Sequence, residues 1–128
     1  MRILIDSHSL IWYVDQDHLL SPTAKAAMCN STNLLLLSAA TLWEISIKAG
    51  LGKLTLSGQF QSWMNQAVAG LNLSILPITI EYADVQAGLP FHHRDPFDRL
   101  LVAQATVEQV PIVSADPVLD SYEIVRIW

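Results

Sequence analysis

The sequence has few cysteines, and this shortage excludes two classes of site. The single cysteine, Cys29, cannot form an internal disulfide, so nothing in the chain requires an oxidising compartment. No set of Cys and His residues has the spacing of a zinc site. Cys29 is therefore expected to fill space in the hydrophobic core.

Basic residues are also scarce. Lys and Arg number 7 against 12 Asp and Glu, which gives a formal net charge of −5. This balance argues against a general binder of polyanions, because phosphate contacts ordinarily need a surplus of cations. A nucleic-acid role would require a metal ion to offset the acids.

Long apolar runs are missing as well. The longest apolar stretch, residues 34–43, contains Ser38 and Thr41 and is shorter than the ~20 residues of a membrane-spanning helix. The apolar run before Asp6 is too short for the hydrophobic region of a signal peptide. The sequence therefore predicts a soluble, cytoplasmic protein.

Apolar residues as a whole are abundant, at 52% of the chain. This share exceeds what a small monomer usually needs, so we expect an oligomer or a permanent partner chain. A chain of 128 residues fits one domain, and no linker or repeat divides it, so residues 1–128 are predicted to form a single domain.

Short apolar runs alternate along the chain with segments of helical spacing. The runs show no polar alternation, which predicts strands buried on both faces, at residues 3–5, 34–37, 73–78 and 112–114, with a fifth candidate at 123–128. The helical segments are residues 10–14, 22–28, 41–49, 60–69, 82–87 and 96–109. This alternation predicts an α/β fold with a mainly parallel central sheet.

Acidic residues follow the predicted strands. Asp6 and Asp116 each come directly after a strand, at the edge where open α/β sheets place their ligands; a solvated loop residue is the alternative for each. Glu44 lies in the first turns of the helix after the second strand, and its carboxylate could point into the same edge. The alternative for Glu44 is an ion pair with Lys48 at i,i+4 spacing.

The stretch HHRDPFDRLL, residues 92–101, predicts a helix start. Asp95 has the position of an N-cap, Pro96 is the first helical residue, and Asp98 is the third. Asp98 could reach back to the N-cap amide as a capping-box acid. However, it shares its helix face with Leu101, on the core side, which predicts an inward carboxylate that needs a partner.

A divalent cation would explain this arrangement of acids. Mg²⁺ prefers carboxylate oxygens and retains several waters, so some acids could act through water; the four candidate ligands are Asp6, Glu44, Asp98 and Asp116. A metal held there favours phosphodiester hydrolysis. Ser7 and Ser114 lie beside the acids and could orient waters or a ligating carboxylate.

These motifs together resemble the PIN-domain ribonucleases, in particular the VapC-type toxins of bacterial toxin–antitoxin pairs. The resemblance covers essentially the whole chain through ILIDS at 3–7, WEISIKAGLGKL at 43–54, DPFDRLLVAQA at 95–105 and SAD at 114–116. It implies a three-layer α/β/α sandwich, a homodimer, and RNA cleavage with Mg²⁺ or Mn²⁺ at the four acids. It also implies inhibition by a cognate antitoxin. Asp95, typical of this branch of the family, is expected to remain a helix cap beside the site, with a direct role in the site as the alternative.

Basic residues near the acids are candidates for contacts with the RNA backbone. They are Lys48, Lys53, Arg94 and Arg99, for which surface solubility or local ion pairing is the alternative. The adjacent loop histidines His92 and His93 could also contact RNA, although two neighbouring histidines in a loop are more often solvated.

Two other functions remain open from the sequence. The chain could be a catalytically silent PIN-like module that binds a protein partner. It could also be an enzyme of aspartyl phosphotransfer with Asp6 as nucleophile. The phosphotransfer reading is weaker because His8, rather than a second Asp, stands two residues after Asp6, and no strand-end Lys is evident.

Overall fold

The computed structural model describes residues 1–128 and contains a five-stranded sheet in which every pair of neighbouring strands is parallel. The strands are β1 Arg2–Ile5, β2 Leu34–Ser38, β3 Ser74–Leu76, β4 Ile112–Val113 and β5 Arg126–Ile127. Their order across the sheet is β3-β2-β1-β4-β5. Because Ile5 pairs with Leu37 and with Val113, the three central strands end close together at one edge.

Six α-helices connect and cover these strands. They are α1 Ser7–Asp15, α2 Pro22–Cys29, α3 Ala39–Gly50, α4 Phe60–Leu71, α5 Ile80–Ala87 and α6 Pro96–Glu108. Two short 3-10 helices span Asp17–Leu19 and Pro117–Ser121. No helix in the chain combines the length and the apolar character needed to cross a membrane.

The sheet has a hydrophobic core on each face, because successive side chains of a strand point to opposite sides. Ile3 and Ile5 of β1 pack into a core with residues of α1, α2, α3 and α4. Leu4 points to the other face and packs against α6 through Leu101 and Val102. Helices on both faces of a parallel sheet make a three-layer α/β/α sandwich, which confirms the predicted fold class.

Two predictions about burial are wrong. The run at 73–78 forms a strand only at Ser74–Leu76, and this strand is largely exposed because β3 lies at the edge of the sheet. Cys29 does not fill the core: it is exposed at the last residue of α2. β3 is exposed because it lies at the edge of the sheet, and Cys29 is exposed because it lies at the end of a helix.

Candidate active site

The ends of β1 and β4 place Asp6 and Asp116 at the same edge of the sheet. The backbone N–H of Asp6 donates to the carbonyl of Val113 at 3.2 Å, which fixes the exit of β1 next to the exit of β4. The Asp6 carboxylate then caps α1 by accepting a hydrogen bond from the amide of Ser9 at 2.8 Å. Asp6 thus caps a helix and lies at the edge of the sheet where the strands end and ligands are expected.

Asp116 is held by hydrogen bonds at both carboxylate oxygens. Its Oδ1 accepts from the amide of Val118 at 3.0 Å, and its Oδ2 lies 2.6 Å from Nε2 of His93. Partial burial alone would raise the pKa of Asp116, but the hydrogen bonds from His93 and Val118 outweigh it and bring the pKa below its ordinary value. Asp116 is therefore kept ionised, as a metal ligand must be.

Glu44 is directed into the same edge by α3. Ser38, the last residue of β2, caps this helix through the amide of Ala40, so α3 starts where β2 ends. Glu44 is buried, and its Oε2 lies 2.6 Å from Nζ of Lys48. The alternative considered from the sequence, an i,i+4 ion pair, is therefore present in the structure.

Asp98 is a half-buried carboxylate close to other acids. Burial, followed by the charges of Asp95, Glu44 and Asp116, raises its pKa to about 6, although His93, when protonated, acts in the opposite direction. No hydrogen bond contributes to this shift, and Asp98 does not form the back-bond of a capping box. Its charge is consequently the least compensated in the site.

Asp95 has the predicted structural role at the start of α6. Its Oδ1 accepts hydrogen bonds from the amides of Phe97 and Asp98, at 2.8 and 3.4 Å, and Pro96 is the first helical residue. The rings of Phe97 and Trp43 meet edge to face with centroids 6.0 Å apart. Since these aromatics immediately precede Asp98 and Glu44, their contact brings the two acid-bearing helices together.

The four acids lie near one another, but their side chains are not arranged as a complete set of metal ligands. Burial alone would lower the pKa of Lys48, but its hydrogen bond to Glu44 and the charges of Asp95 and Asp98 raise it above its ordinary value. No group of three or more Asp, Glu, His or Cys side chains is close enough together to hold a metal ion directly. The donor chemistry suits a hard cation, and the uncompensated charge of Asp98 favours one. Glu44 and Asp116, however, are engaged by Lys48 and His93, so a metal ion held here would bind them through water or after a rotation of these side chains.

The four basic candidates differ in their freedom to contact RNA. Lys48 is engaged by Glu44, whereas Lys53 and Arg94 are exposed and form no ion pair. The expectation for Arg99 is wrong: this residue is buried, and its guanidinium donates to the carbonyls of Gln86, Leu89 and Pro90. Arg99 therefore fixes the α5–α6 connection and has no free donor face for a phosphate.

The two serines beside the acids occupy different environments. The hydroxyl of Ser114 accepts a hydrogen bond from the backbone N–H of Asp116 at 3.1 Å, so it supports the loop rather than the carboxylate. Ser7 is buried in the first turn of α1. Neither serine contacts a carboxylate of the site in this structure.

His93 is a residue of the site whose contact was not predicted from the sequence. Its side chain is only 9% exposed and contacts Asp116, which lies 23 residues further along the chain. No spacing rule links residues so far apart, and a histidine next to a second one in a loop is usually solvated. The only local sign is its position two residues before the cap of α6.

Comparison with known proteins gives a family and several structural relatives. The model of the PIN domain family matches residues 3–125. No curated protein sequence matches the chain. The fold is similar to that of VapBC2 from Rickettsia felis bound to a promoter DNA fragment, with TM-score 0.69 and 15% identity, over 98% of this chain and 97% of that one.

Two further solved structures share the fold. VapBC-5 from Mycobacterium tuberculosis, a member of the VapBC family of toxin–antitoxin systems, has TM-score 0.62 and 13% identity, over 98% of both chains. FitAcB from Neisseria gonorrhoeae has TM-score 0.61 and 16% identity, over 97% of this chain and 95% of that one. At these identities the likeness is one of fold.

Proposed function

The chain belongs to the PIN-domain family, and from this membership we propose that it is a metal-dependent endoribonuclease that acts as the toxin of a toxin–antitoxin pair. The observation that carries the proposal is Asp98, a half-buried carboxylate without a hydrogen-bond donor, close to Asp95, Glu44 and Asp116. Such an excess of negative charge at the ligand edge of a parallel sheet needs a cation. The alternatives are a catalytically silent module and phosphotransfer at Asp6, and no contact in the site favours either.

The residues that would hold Mg²⁺ or Mn²⁺ are Asp6, Glu44, Asp98 and Asp116. A hard divalent cation among them would supply polarisation of a phosphoryl oxygen and a lower pKa for a bound water. The chain itself contributes orientation: Asp6 and Asp116 are fixed by the amides that they cap. Lys48 neutralises part of the acidic charge that would otherwise repel an RNA phosphate. The exposed Lys53 and Arg94 are the remaining candidates for backbone contacts.

Cleavage of RNA by the purified chain is the direct test. With Mn²⁺ we expect cleavage of a mixed RNA substrate, and with EDTA none. Asp6→Asn and Asp98→Asn should each reduce the rate on the order of 100-fold or more, the scale for loss of one charge-stabilising group in an active site. Asp84→Asn, at an exposed acid of α5, is the matched control and should cleave at the parental rate.

Two results would separate the nuclease from the silent module. If Asp98→Asn cleaves as fast as the parent, the RNase activity comes from elsewhere. If the parent shows neither cleavage nor Mn²⁺ binding by calorimetry, the chain is a protein-binding module.

The toxin role has its own test, because the structural relatives are toxin–antitoxin complexes. We propose that the partner is a small antitoxin protein that covers the acidic edge of the sheet. Induced expression in a bacterial host should arrest growth, and expression of a neighbouring small reading frame should restore it. Growth that is unaffected by the parent and by Asp6→Asn alike would contradict the toxin role.

A further inference from the structure

Both ring nitrogens of His93 are engaged inside the protein. Nε2 lies 2.6 Å from Oδ2 of Asp116, and Nδ1 lies 3.1 Å from the hydroxyl of Tyr122. The same hydroxyl accepts a hydrogen bond from the backbone N–H of His93 at 3.1 Å. The two rings lie nearly parallel, with an interplanar angle of 13°. A buried imidazole with this set of contacts is held in a single orientation.

The partners of His93 define its tautomer. An ionised carboxylate can only accept, so Nε2 must carry the hydrogen that is donated to Asp116. Nδ1 is then free to accept the hydrogen of the Tyr122 hydroxyl, whose oxygen accepts the His93 amide. In this arrangement the His93 ring is neutral, and its Nε2–H, the His93 amide and the Tyr122 hydroxyl each donate to an acceptor.

These contacts join the two segments that carry the acids of the site. His93 lies in the connection before α6, five residues before Asp98. Asp116 and Tyr122 flank the 3-10 helix after β4 and lie 23 and 29 residues away from His93 in sequence. The pair of hydrogen bonds therefore fixes the distance between the start of α6 and the exit of β4.

We propose that His93, oriented by Tyr122, is a positioning residue that fixes the Asp116 carboxylate relative to Asp98. The catalytic consequence rests on the proposed nuclease function, but the hydrogen-bond arrangement does not. The carboxylate has no other side chain to orient Oδ2, since Ser114 contacts only the backbone of Asp116. Partners that orient a metal ligand usually affect affinity or activity by about 10–100-fold.

Activity measurements with variants of the whole chain test the catalytic part. His93→Ala should lower kcat by about 10–100-fold with KM for RNA changed little, because Asp116 rather than RNA loses its contact. His93→Gln should recover most of kcat, since its amide nitrogen can reach the position of Nε2. His92→Ala is the matched control: its ring packs edge-on against Tyr122 without a hydrogen bond to an acid, and its kcat should be parental.

Tyr122→Phe tests whether the two contacts act together. This variant keeps the ring and removes the hydroxyl, so it should lower kcat less than His93→Ala does. In the His93→Ala background it should have almost no further effect, because the tyrosine acts through the histidine. Thermal unfolding of each variant shows whether a loss reflects misfolding. Additive effects would mean that the two residues act separately and would contradict the proposal.

Nitrogen-15 NMR of the imidazole tests the arrangement without any activity. In EDTA, His93 should show the Nε2–H tautomer, and Tyr122→Phe should leave this tautomer in place, because the Asp116 carboxylate still accepts from Nε2. A mixed tautomer for His93 in the parent overturns the proposal, and so does a His93→Ala variant with parental or higher kcat.

A parent without RNase activity would mean the proposed nuclease function has failed. The positioning role is then decided by Mn²⁺ calorimetry, in which His93→Ala should weaken binding about 10-fold. Equal Mn²⁺ affinity, or no binding by either protein, overturns it.

Discussion

Among single residues, Asp98 makes the fold less stable when its carboxylate is ionised. Its folded pKa of about 6 lies above the ordinary value of 3.8, so the folded protein binds this proton more tightly than the unfolded chain does. The stabilisation from that proton is complete below about pH 4 and is lost as the pH rises through about 6. The metal-free protein is thus less stable when Asp98 is ionised, and the ionised form is the one that a metal ligand must have.

We predict that Asp98→Asn stabilises the metal-free protein at pH 8, because it removes an uncompensated charge. The gain should be about 1–2 kcal/mol, after allowance for solvent screening of this half-buried group. At pH 5 the gain should be smaller, since the parent is then mostly protonated. Urea unfolding at both pH values in EDTA measures the effect, and Asp84→Asn serves as control. A variant that is less stable than its parent at pH 8 would contradict the assigned cause.

At the scale of elements, two α-helices begin with the same pair of residues, a capping side chain followed by proline. Ser21 caps α2 and Asp95 caps α6, and in each case proline is the first helical residue. Only α6 carries an acid of the proposed site. The two helices therefore allow the loss of a cap to be compared inside and outside the site.

We predict that Ser21→Ala and Asp95→Ala each cost about 1 kcal/mol of stability, the usual value of an N-cap. Only Asp95→Ala should also lower RNase activity, because the start of α6 positions Asp98. Asp95→Ser keeps a capping oxygen without the charge and should retain both properties. If Asp95→Ser is stable but inactive, the Asp95 carboxylate has a direct role in the site.

At the scale of the whole molecule, three exposed isoleucines lie in or just after β3, at one edge of the sheet. Ile75 of β3 is exposed, and beyond it Ile78 and Ile80 are 53% and 91% exposed. β3 is an edge strand without a partner on its outer side. An apolar, unpaired edge of this kind favours association with another chain.

We predict that the chain is a homodimer, with twice the 14.2 kDa mass of one copy in light scattering. The double variant Ile78→Ser, Ile80→Ser should be monomeric at the same micromolar concentration. Val125→Ser is the control, because this exposed valine lies next to β5, at the opposite edge of the sheet. A parent with the mass of one copy would rule out the dimer.

The sequence predicted the features of this molecule that have local causes. A proline after an acid identifies the start of α6, and acids after apolar runs lie at the strand ends. Features set by tertiary structure were not predictable in this way. The contact of His93 with Asp116 and the binding of Arg99 by three carbonyls depend on the path of a loop. The exposure of β3 depends on the order of strands, which periodicity alone does not define.

The acids at the strand ends also serve as helix caps, and this double use has an evolutionary consequence. Asp6 caps α1 and Asp116 caps the following 3-10 helix, and asparagine caps a helix about as well as aspartate does. An Asp codon becomes an Asn codon by a single G-to-A transition. If the proposed RNase activity holds, a lineage that no longer tolerates it could therefore abolish it by one base change and still inherit a folded protein with its binding surfaces intact.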